Sequence, residues 1–281
     1  MTATSSSTVT ALAASLRLNA AGFIVTIYGD AVVPRGGTLW TGTLIDLCAR
    51  VGINESLVRT AVSRLVGASQ LVGARLGRRS FYRLAPSAIE AFLEAAELLY
   101  GPDRPASGWQ IIHDPTLKPE DARRRRMGHM DGSVFVRPDR GQAIPPGALA
   151  FRAQTMLPAA SLAGYWDLTT LREGYIRFLD LFLPFEGVDV RKMTDADALI
   201  LRLLLVHAYR IVLLRDPRLP PEHLPADWNG VEARRLFRSL YLALTPAAHR
   251  FVAVHCEGPE GLFPAETEIS AQRLSNLSSD K

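Results

Sequence analysis

Between Glu55 and Glu90 the chain carries no Asp or Glu, yet Arg59, Arg64, Arg75, Arg78, Arg79 and Arg83 all fall in that interval. Any fold for this stretch has to leave a basic surface that no neighbouring acid in sequence neutralises, which suits a polyanionic partner. The periodicity narrows the fold further. Val58, Ala61, Val62 and Leu65 recur at i, i+3, i+4 and i+7, one helical face, and they leave Ser56, Arg59, Thr60, Ser63 and Arg64 together on the other. Asn54 suits an N-cap, Glu55 favours the positive end of the helix dipole, and Ile53 and Val58 hold the two positions of a hydrophobic staple. After this helix, Leu71 to Arg83 reads as a basic β-hairpin with Arg78 and Arg79 at its turn. Leu71, Phe81 and Leu84 would seal its inner side.

The residues upstream supply the rest of a small domain. Phe23, Ile24, Ile27, Tyr28 and Ala31 predict a helix over residues 16–31, and Pro34-Arg-Gly-Gly37 forces a turn. Thr38-Leu-Trp40 is a short extended piece. Thr43 and Asp46 have capping-box spacing for a second helix, with Leu44, Leu47, Cys48 and Val51 inward and Gly52 at its end. Helix, helix, tight turn, helix, hairpin is the order of a winged helix-turn-helix, in which the second helix of the pair enters the DNA major groove. Arg reads guanine edges or pins phosphates, and Ser, Thr, Asn and Tyr reach phosphate or base without the repulsion a carboxylate would meet. The expected DNA-binding residues are therefore Asn54, Ser56, Arg59, Thr60, Ser63 and Arg64 on the helix and Arg75, Arg78, Arg79, Ser80 and Tyr82 on the wing.

Composition adds only bounds. The 281 residues allow two or three domains, and 48% hydrophobic with 21% charged residues is an ordinary soluble balance. A net charge of +4 permits nucleic-acid binding without arguing for it. Nearly all the basicity is arginine, since only Lys118, Lys192 and Lys281 are lysines. Cys48 and Cys256, far apart in sequence, read as buried free thiols of a reducing cytoplasm. The most apolar stretch, Ala198 to Leu214, is interrupted by Arg202, His207 and Arg210, so no membrane role follows.

Residues 1–15, rich in Ser, Thr and Ala, are expected to be a disordered tail rather than a signal peptide. Pro86 opens a connector helix with Ile89, Phe92, Leu93 and Leu99 inward, stopped at Tyr100-Gly-Pro102, and a linker places a domain boundary near residue 105. Trp109–His113, Ser133–Arg137 and Ala148–Arg152 read as strands, with a helix over Pro119–Met127 between the first two. The last third is helical, with Ala198 to Leu214 central, a proline-rich crossing from Pro217 to Pro225, a helix through Ala233 to Leu244, and a final short helix capped at Thr245-Pro246. The expected fold class is α+β and multidomain. Its parts are a winged helix-turn-helix domain over 16–104, a ferredoxin-like α+β domain over 105–165, a helical domain over 166–263 and a disordered tail over 264–281.

Several long motifs resemble, in order and spacing, the PaaX family of transcriptional repressors of phenylacetic acid degradation. They are Phe23-Ile-Val-Thr-Ile-Tyr-Gly-Asp30, Pro34-Arg-Gly-Gly37, the run from Gly52 to Leu65, Arg78-Arg-Ser-Phe-Tyr-Arg-Leu84, Tyr100-Gly-Pro102, Trp166-Asp-Leu168 with Leu171 and Tyr175, and His207 to Pro220 with Leu224 to Gly230. The resemblance implies a cytoplasmic homodimer bound to double-stranded DNA. It also implies release from the operator by an aryl-CoA thioester such as phenylacetyl-CoA, with no other cofactor. Arg123, Arg124 and Arg126 could then hold the CoA phosphates; a solvated helix face and an auxiliary DNA contact are the other readings of the Arg123–Arg126 run. The stretch Met127-Gly-His-Met-Asp-Gly132 departs from the aromatic and glycine-rich pattern of the family.

Enzymatic alternatives find less support. Hydrolase, nucleotide-binding and zinc-protease signatures are absent, and His249, His255 and Cys256 match no standard metal spacing. The rival reading is a metal-dependent nuclease, because the central segment also resembles the small ferredoxin-like endonucleases of CRISPR adaptation. Asp114 is then the candidate ligand, although two-metal chemistry needs more acids than one.

Overall fold

The computed structural model describes residues 2–154 and 159–279. The chain is α+β and divides into two compact units. One comprises Met1–Pro102, Asp180–Arg210 and Arg234–Lys281, the other Asp103–Leu179 and Ile211–Ala233. The C-terminal helices therefore do not form the separate third domain expected from the sequence. Much of that region folds with the N-terminal hundred residues.

The first unit begins with α1 (Thr2–Ser15) and α2 (Ala20–Ile27), capped by Asn19, whose Oδ1 accepts from the Gly22 amide at 2.6 Å. The expected tail is thus a helix, and Val9, Leu12 and Ala13 on it are buried. Met1 and residues 280–281 of the two expected tails lie outside the described residues. α2 loosens into one π-helical stretch, Tyr28–Val32, that carries Asp30. Then follow β1 (Thr38–Trp40), α3 (Thr41–Ala49), α4 (Glu55–Gly67), β2 (Leu71–Leu76), β3 (Arg79–Leu84) and α5 (Pro86–Tyr100). The three strands make an antiparallel sheet in the order β1-β3-β2.

Two expectations fail here for physical reasons. α3 starts at Thr41 rather than Thr43, because the chain enters it directly from β1. Thr43 is buried with its hydroxyl directed to the His255 carbonyl, and Asp46 pairs with Arg50 at 3.2 Å, so no capping box forms. On α5 the inward face is Ala88, Leu98, Leu99 and Tyr100, while Ile89 and Leu93 are 45% and 60% exposed. Leu99 is inward as its apolar pattern suggested and Phe92 is half-buried, so the pattern fails at Ile89 and Leu93.

In the second unit, β4 (Trp109–His113), α6 (Pro119–Arg124), β5 (Gly128–Asp131), β6 (Val134–Pro138) and β7 (Leu149–Ala153) form a four-stranded antiparallel sheet of order β5-β6-β4-β7. The two faces of β4 bury different clusters. Ile112 joins Ala122, Met127 and Phe135, whereas Trp109 joins Val136, Leu168, Leu171 and Leu219. A helix lies between β4 and β5, and none lies between β6 and β7.

α7 (Leu168–Phe182), α8 (Asp195–Leu213) and α9 (Gly230–His255) follow, then β8 (Glu257–Gly258), β9 (Gly261–Leu262) and α10 (Glu268–Ser279). α8 is central as expected: every residue from Ala198 to His207 is buried. α9 runs 26 residues straight through Pro246, which was expected to start a new helix. A proline removes one ladder bond; the buried flanks Leu244, Thr245, Ala247 and Ala248 hold the helix together across it. α10 replaces the expected C-terminal tail. Arg273 on it donates to the Gly29 carbonyl at 3.0 Å, and Arg35 donates to the Pro264 and Ala265 carbonyls just before it.

The first unit is centred on one buried ion pair. Asp30 and Arg202 both have fully buried side chains, with Nη2 2.8 Å and Nε 3.1 Å from Asp30 Oδ2. Tyr241 and Tyr100 donate to Oδ1 at 2.9 and 3.1 Å. Burial alone would push this carboxyl up. The Arg202 and Arg273 charges and the two tyrosine hydroxyls outweigh it and hold Asp30 below the usual carboxylate range.

Candidate nucleic-acid interface

The local chemistry that builds the α3-turn-α4 element can be followed bond by bond. Gly52 has φ +82°, which an L side chain resists, and it ends α3 in a Schellman arrangement: Ile53 N–H bonds the Cys48 carbonyl and Gly52 N–H that of Ala49, each at 3.0 Å. Ile53 is buried immediately before the cap, as is Val58 at the staple position. Asn54 Oδ1 accepts from the Leu57 amide at 2.9 Å and starts α4. Val58, Ala61, Val62 and Leu65 are buried, and Ser56, Arg59, Thr60, Ser63 and Arg64 are all exposed on the opposite face. Arg59 is engaged with Glu55 at 2.6 Å, an exposed i,i+4 pair of the kind that contributes little and gives way to a stronger anion.

β2 and β3 pair from Leu71↔Leu84 to Leu76↔Arg79, leaving Gly77 and Arg78 as a two-residue loop. Gly77, at φ +60°, is the first of the two, where tight hairpins require glycine. Leu71, Phe81 and Leu84 are buried. Arg75 and Arg78 are exposed, and Ser80 and Tyr82 are half-buried. Two hydrogen bonds fix the hairpin to its unit: Tyr28 Oη donates to the Tyr82 carbonyl at 2.9 Å, and Thr41 Oγ1 to that of Ser80 at 2.7 Å. Burial pushes the Tyr28 hydroxyl well above its ordinary pKa, so it remains a donor.

Arg79 departs from the expectation. It has no acid near it in sequence, but the fold brings Glu257 of β8 into an ion pair with it, and its guanidinium lies 4.6 Å from the Trp40 ring centroid. The partners are 178 residues apart, so no local pattern could signal them. Among the described residues, Arg64, Arg75, Arg78 and Arg83 carry no ion pair.

The second unit does not gather Arg123, Arg124 and Arg126 into one site. Arg123 and Arg124 are exposed on α6, and Arg124 pairs with Asp121 at 2.6 Å. Arg126 lies beyond the helix end at φ +61°, half-buried, with its carbonyl accepting from Trp166 Nε1. Asp114 is a turn residue: its Oδ1 accepts from Thr116 Oγ1 at 2.7 Å and from the amides of Thr116 and Leu117. These bonds, the Thr116 hydroxyl first, hold it below the usual carboxylate range. Among the described residues no three His, Cys, Asp or Glu side chains cluster as metal ligands. Among the described residues no helix is long and apolar enough to cross a membrane.

With this geometry established, comparison with known proteins adds independent support. Residues 19–88 match the family model described as PaaX-like protein, and residues 166–254 match that of the PaaX-like protein C-terminal domain. The chain is 31% identical to the transcriptional repressor PaaX of Escherichia coli (strain K12) over 284 residues, covering 90% of this chain and 89% of that one. It is also 27% identical to a solved structure of the uncharacterized protein Rv0674 from Mycobacterium tuberculosis, over 73% of this chain and 88% of that one, with a TM-score of 0.45. Two family models, one at each end, and a relative aligned along nine-tenths of the chain place this protein in the PaaX family.

Proposed function

We propose that the protein is a DNA-binding transcriptional repressor, not an enzyme, in which α3, the turn and α4 with the β2–β3 hairpin act as a winged helix-turn-helix. One observation carries the reading: α4, capped by Asn54, presents Ser56, Arg59, Thr60, Ser63 and Arg64 on one exposed face, and the hairpin that follows it carries the exposed Arg75 and Arg78, unpaired among the described residues. The E. coli relative, a transcriptional repressor by name, supports the same reading. Arg64 and Arg59 would read base edges, while Arg75 and Arg78 would meet phosphate or the minor groove.

The sheet of the second unit has the strand order 4-1-3-2 of a ferredoxin-like domain, with only the first of its two crossover helices. It is the part we assign to effector sensing. The family supports an aryl-CoA thioester such as phenylacetyl-CoA as effector, a phenylacetate-type catabolic operon as target, and a cytoplasmic homodimer as the working form. A single winged helix buries about 600–1,000 Å² on DNA, and two on a two-fold axis read half-sites about 34 Å apart or a multiple of that.

The test is footprinting on the DNA upstream of the protein's own gene neighbourhood, with and without a panel of acyl-CoA thioesters. A protected two-fold site lost with an aryl-CoA supports the reading. Absence of any protected site removes it, and protection indifferent to every thioester removes the effector.

A further inference from the structure

The ion pair between Arg79 and Glu257 belongs to a layered arrangement. Trp40 ends β1, and its ring lies across Gly42, where an added Cβ would stand only 2.4 Å from the indole. On this ring the Arg79 guanidinium stacks at 4.6 Å, and Glu257 closes the stack by pairing with it. The Arg79 side chain is 49% exposed and that of Glu257 28%, so the cation faces solvent at the wing while its counter-charge sits partly sheltered behind it.

Glu257 is held there by its surroundings. It lies two residues beyond the end of α9, whose final carbonyl at His255 accepts from Thr43. Its neighbour Gly258 lies so close to β1 that a Cβ would come 3.2 Å from the Thr38 carbonyl and 2.8 Å from the Phe263 ring. A flexible surface pair would need none of this. Two glycines make the room, and a segment from the far end of the chain delivers the acid.

We propose that Glu257 withholds Arg79 from DNA phosphate and thereby sets the sequence-independent, salt-dependent part of the affinity, although it lies outside both the helix pair and the wing. The inference rests on the DNA-binding reading above. Phosphate contacts supply sequence-independent, salt-dependent affinity. Neutralising one wing arginine internally lowers binding to any duplex and its salt dependence by about one contact, and leaves discrimination to α4. Arg78, at the hairpin loop and unpaired among the described residues, remains free to meet phosphate.

The test measures the salt dependence of binding for the parent protein, Glu257→Gln, Arg79→Ala and the double variant, by anisotropy on a labelled duplex of random sequence and on duplexes recovered by selection with the parent. Glu257→Gln should steepen the slope on random duplex by about one phosphate contact, which is a further loss of about 3-fold in affinity between about 50 and 200 mM salt. It should strengthen binding to random and to selected duplex by about the same factor. Arg79→Ala alone should leave the parental slope, and in the double variant it should cancel the effect of Glu257→Gln. Glu257→Ala, which removes amide and carboxylate alike, should match Glu257→Gln in slope. A brace with only a structural role would lower thermal stability and leave the slope unchanged. An unchanged slope in both Glu257 variants, or a flatter slope in Arg79→Ala alone, overturns the proposal. Failure of the parent to bind any duplex is a separate result that overturns the DNA-binding reading itself.

Discussion

Replacing Asp30 by Asn keeps the shape of the residue at the centre of the first unit and removes its charge. Arg202, with a fully buried side chain 2.8 Å away, would then be a cation with no counter-charge in contact. Removing one partner of a buried pair costs about 3–5 kcal/mol, because the charge left behind has already lost its water. At 2–4 °C per kcal/mol for a chain of this size, the melting temperature should fall by roughly 6–20 °C. The two tyrosine donors do not rescue it, since Tyr100 and Tyr241 can still bond the Asn oxygen but supply no negative charge. Removing both ions should cost less than removing Asp30 alone. Asp30→Asn with Arg202→Met takes the orphaned cation away, and its methionine refills most of the volume beside Thr245 and Tyr241. Thermal and urea unfolding followed by circular dichroism give both quantities. A shift for Asp30→Asn of less than about 1 kcal/mol, or a double variant as unstable as the sum of the singles, would refute the reasoning.

Other outcomes follow from the same interior. His207 accepts or donates at 2.9 Å to Thr26, and burial, then the Arg210 charge, depress its pKa to about 4. An unfolded histidine takes up a proton near 6.5, so the unfolded chain binds more protons between about 6.5 and 4; His207 should contribute a fall of about 3 kcal/mol as pH drops through that window, where His249, which burial depresses likewise to about 4, adds to the same limb. His207→Gln should flatten that acid limb, and an unaltered limb in urea titrations at several pH values refutes the assignment. Cys48 and Cys256 are buried, with burial pushing each thiol up to about 12, so native protein at pH 8 should alkylate far more slowly than in urea. Comparable rates would mean that both sites open readily.

How far the sequence disclosed this arrangement depended on the range of the interaction. α4 was legible because its cap, staple and apolar face are all encoded between Ile53 and Leu65, and the hairpin because Gly77 and the alternation around it are local. α8 was legible as a central helix from a run that is apolar on nearly every side, with only Arg202, His207 and Arg210 interrupting it. The assembly of the first unit was not, since Asp30 meets Arg202 across 172 residues and Arg79 meets Glu257 across 178. Each looks in sequence like an ordinary surface charge. α10 escaped because its buried residues include Ser270 and Arg273, polar side chains held by hydrogen bonds rather than by an apolar stripe. The inward face of α5 was misjudged where Ile89 and Leu93 follow helical spacing yet face solvent.

The proposed function assigns the reading of DNA sequence to the exposed face of α4. Arg64 is its most direct probe, exposed in the last turn and unpaired among the described residues. Binding of parent protein and Arg64→Ala should be compared at one fixed salt concentration on duplexes selected by the parent and on random duplex. The account predicts a loss of about 1–3 kcal/mol on selected duplex and a much smaller loss on random duplex. Equal losses on both would mean that α4 only positions the protein, and the central claim would be wrong.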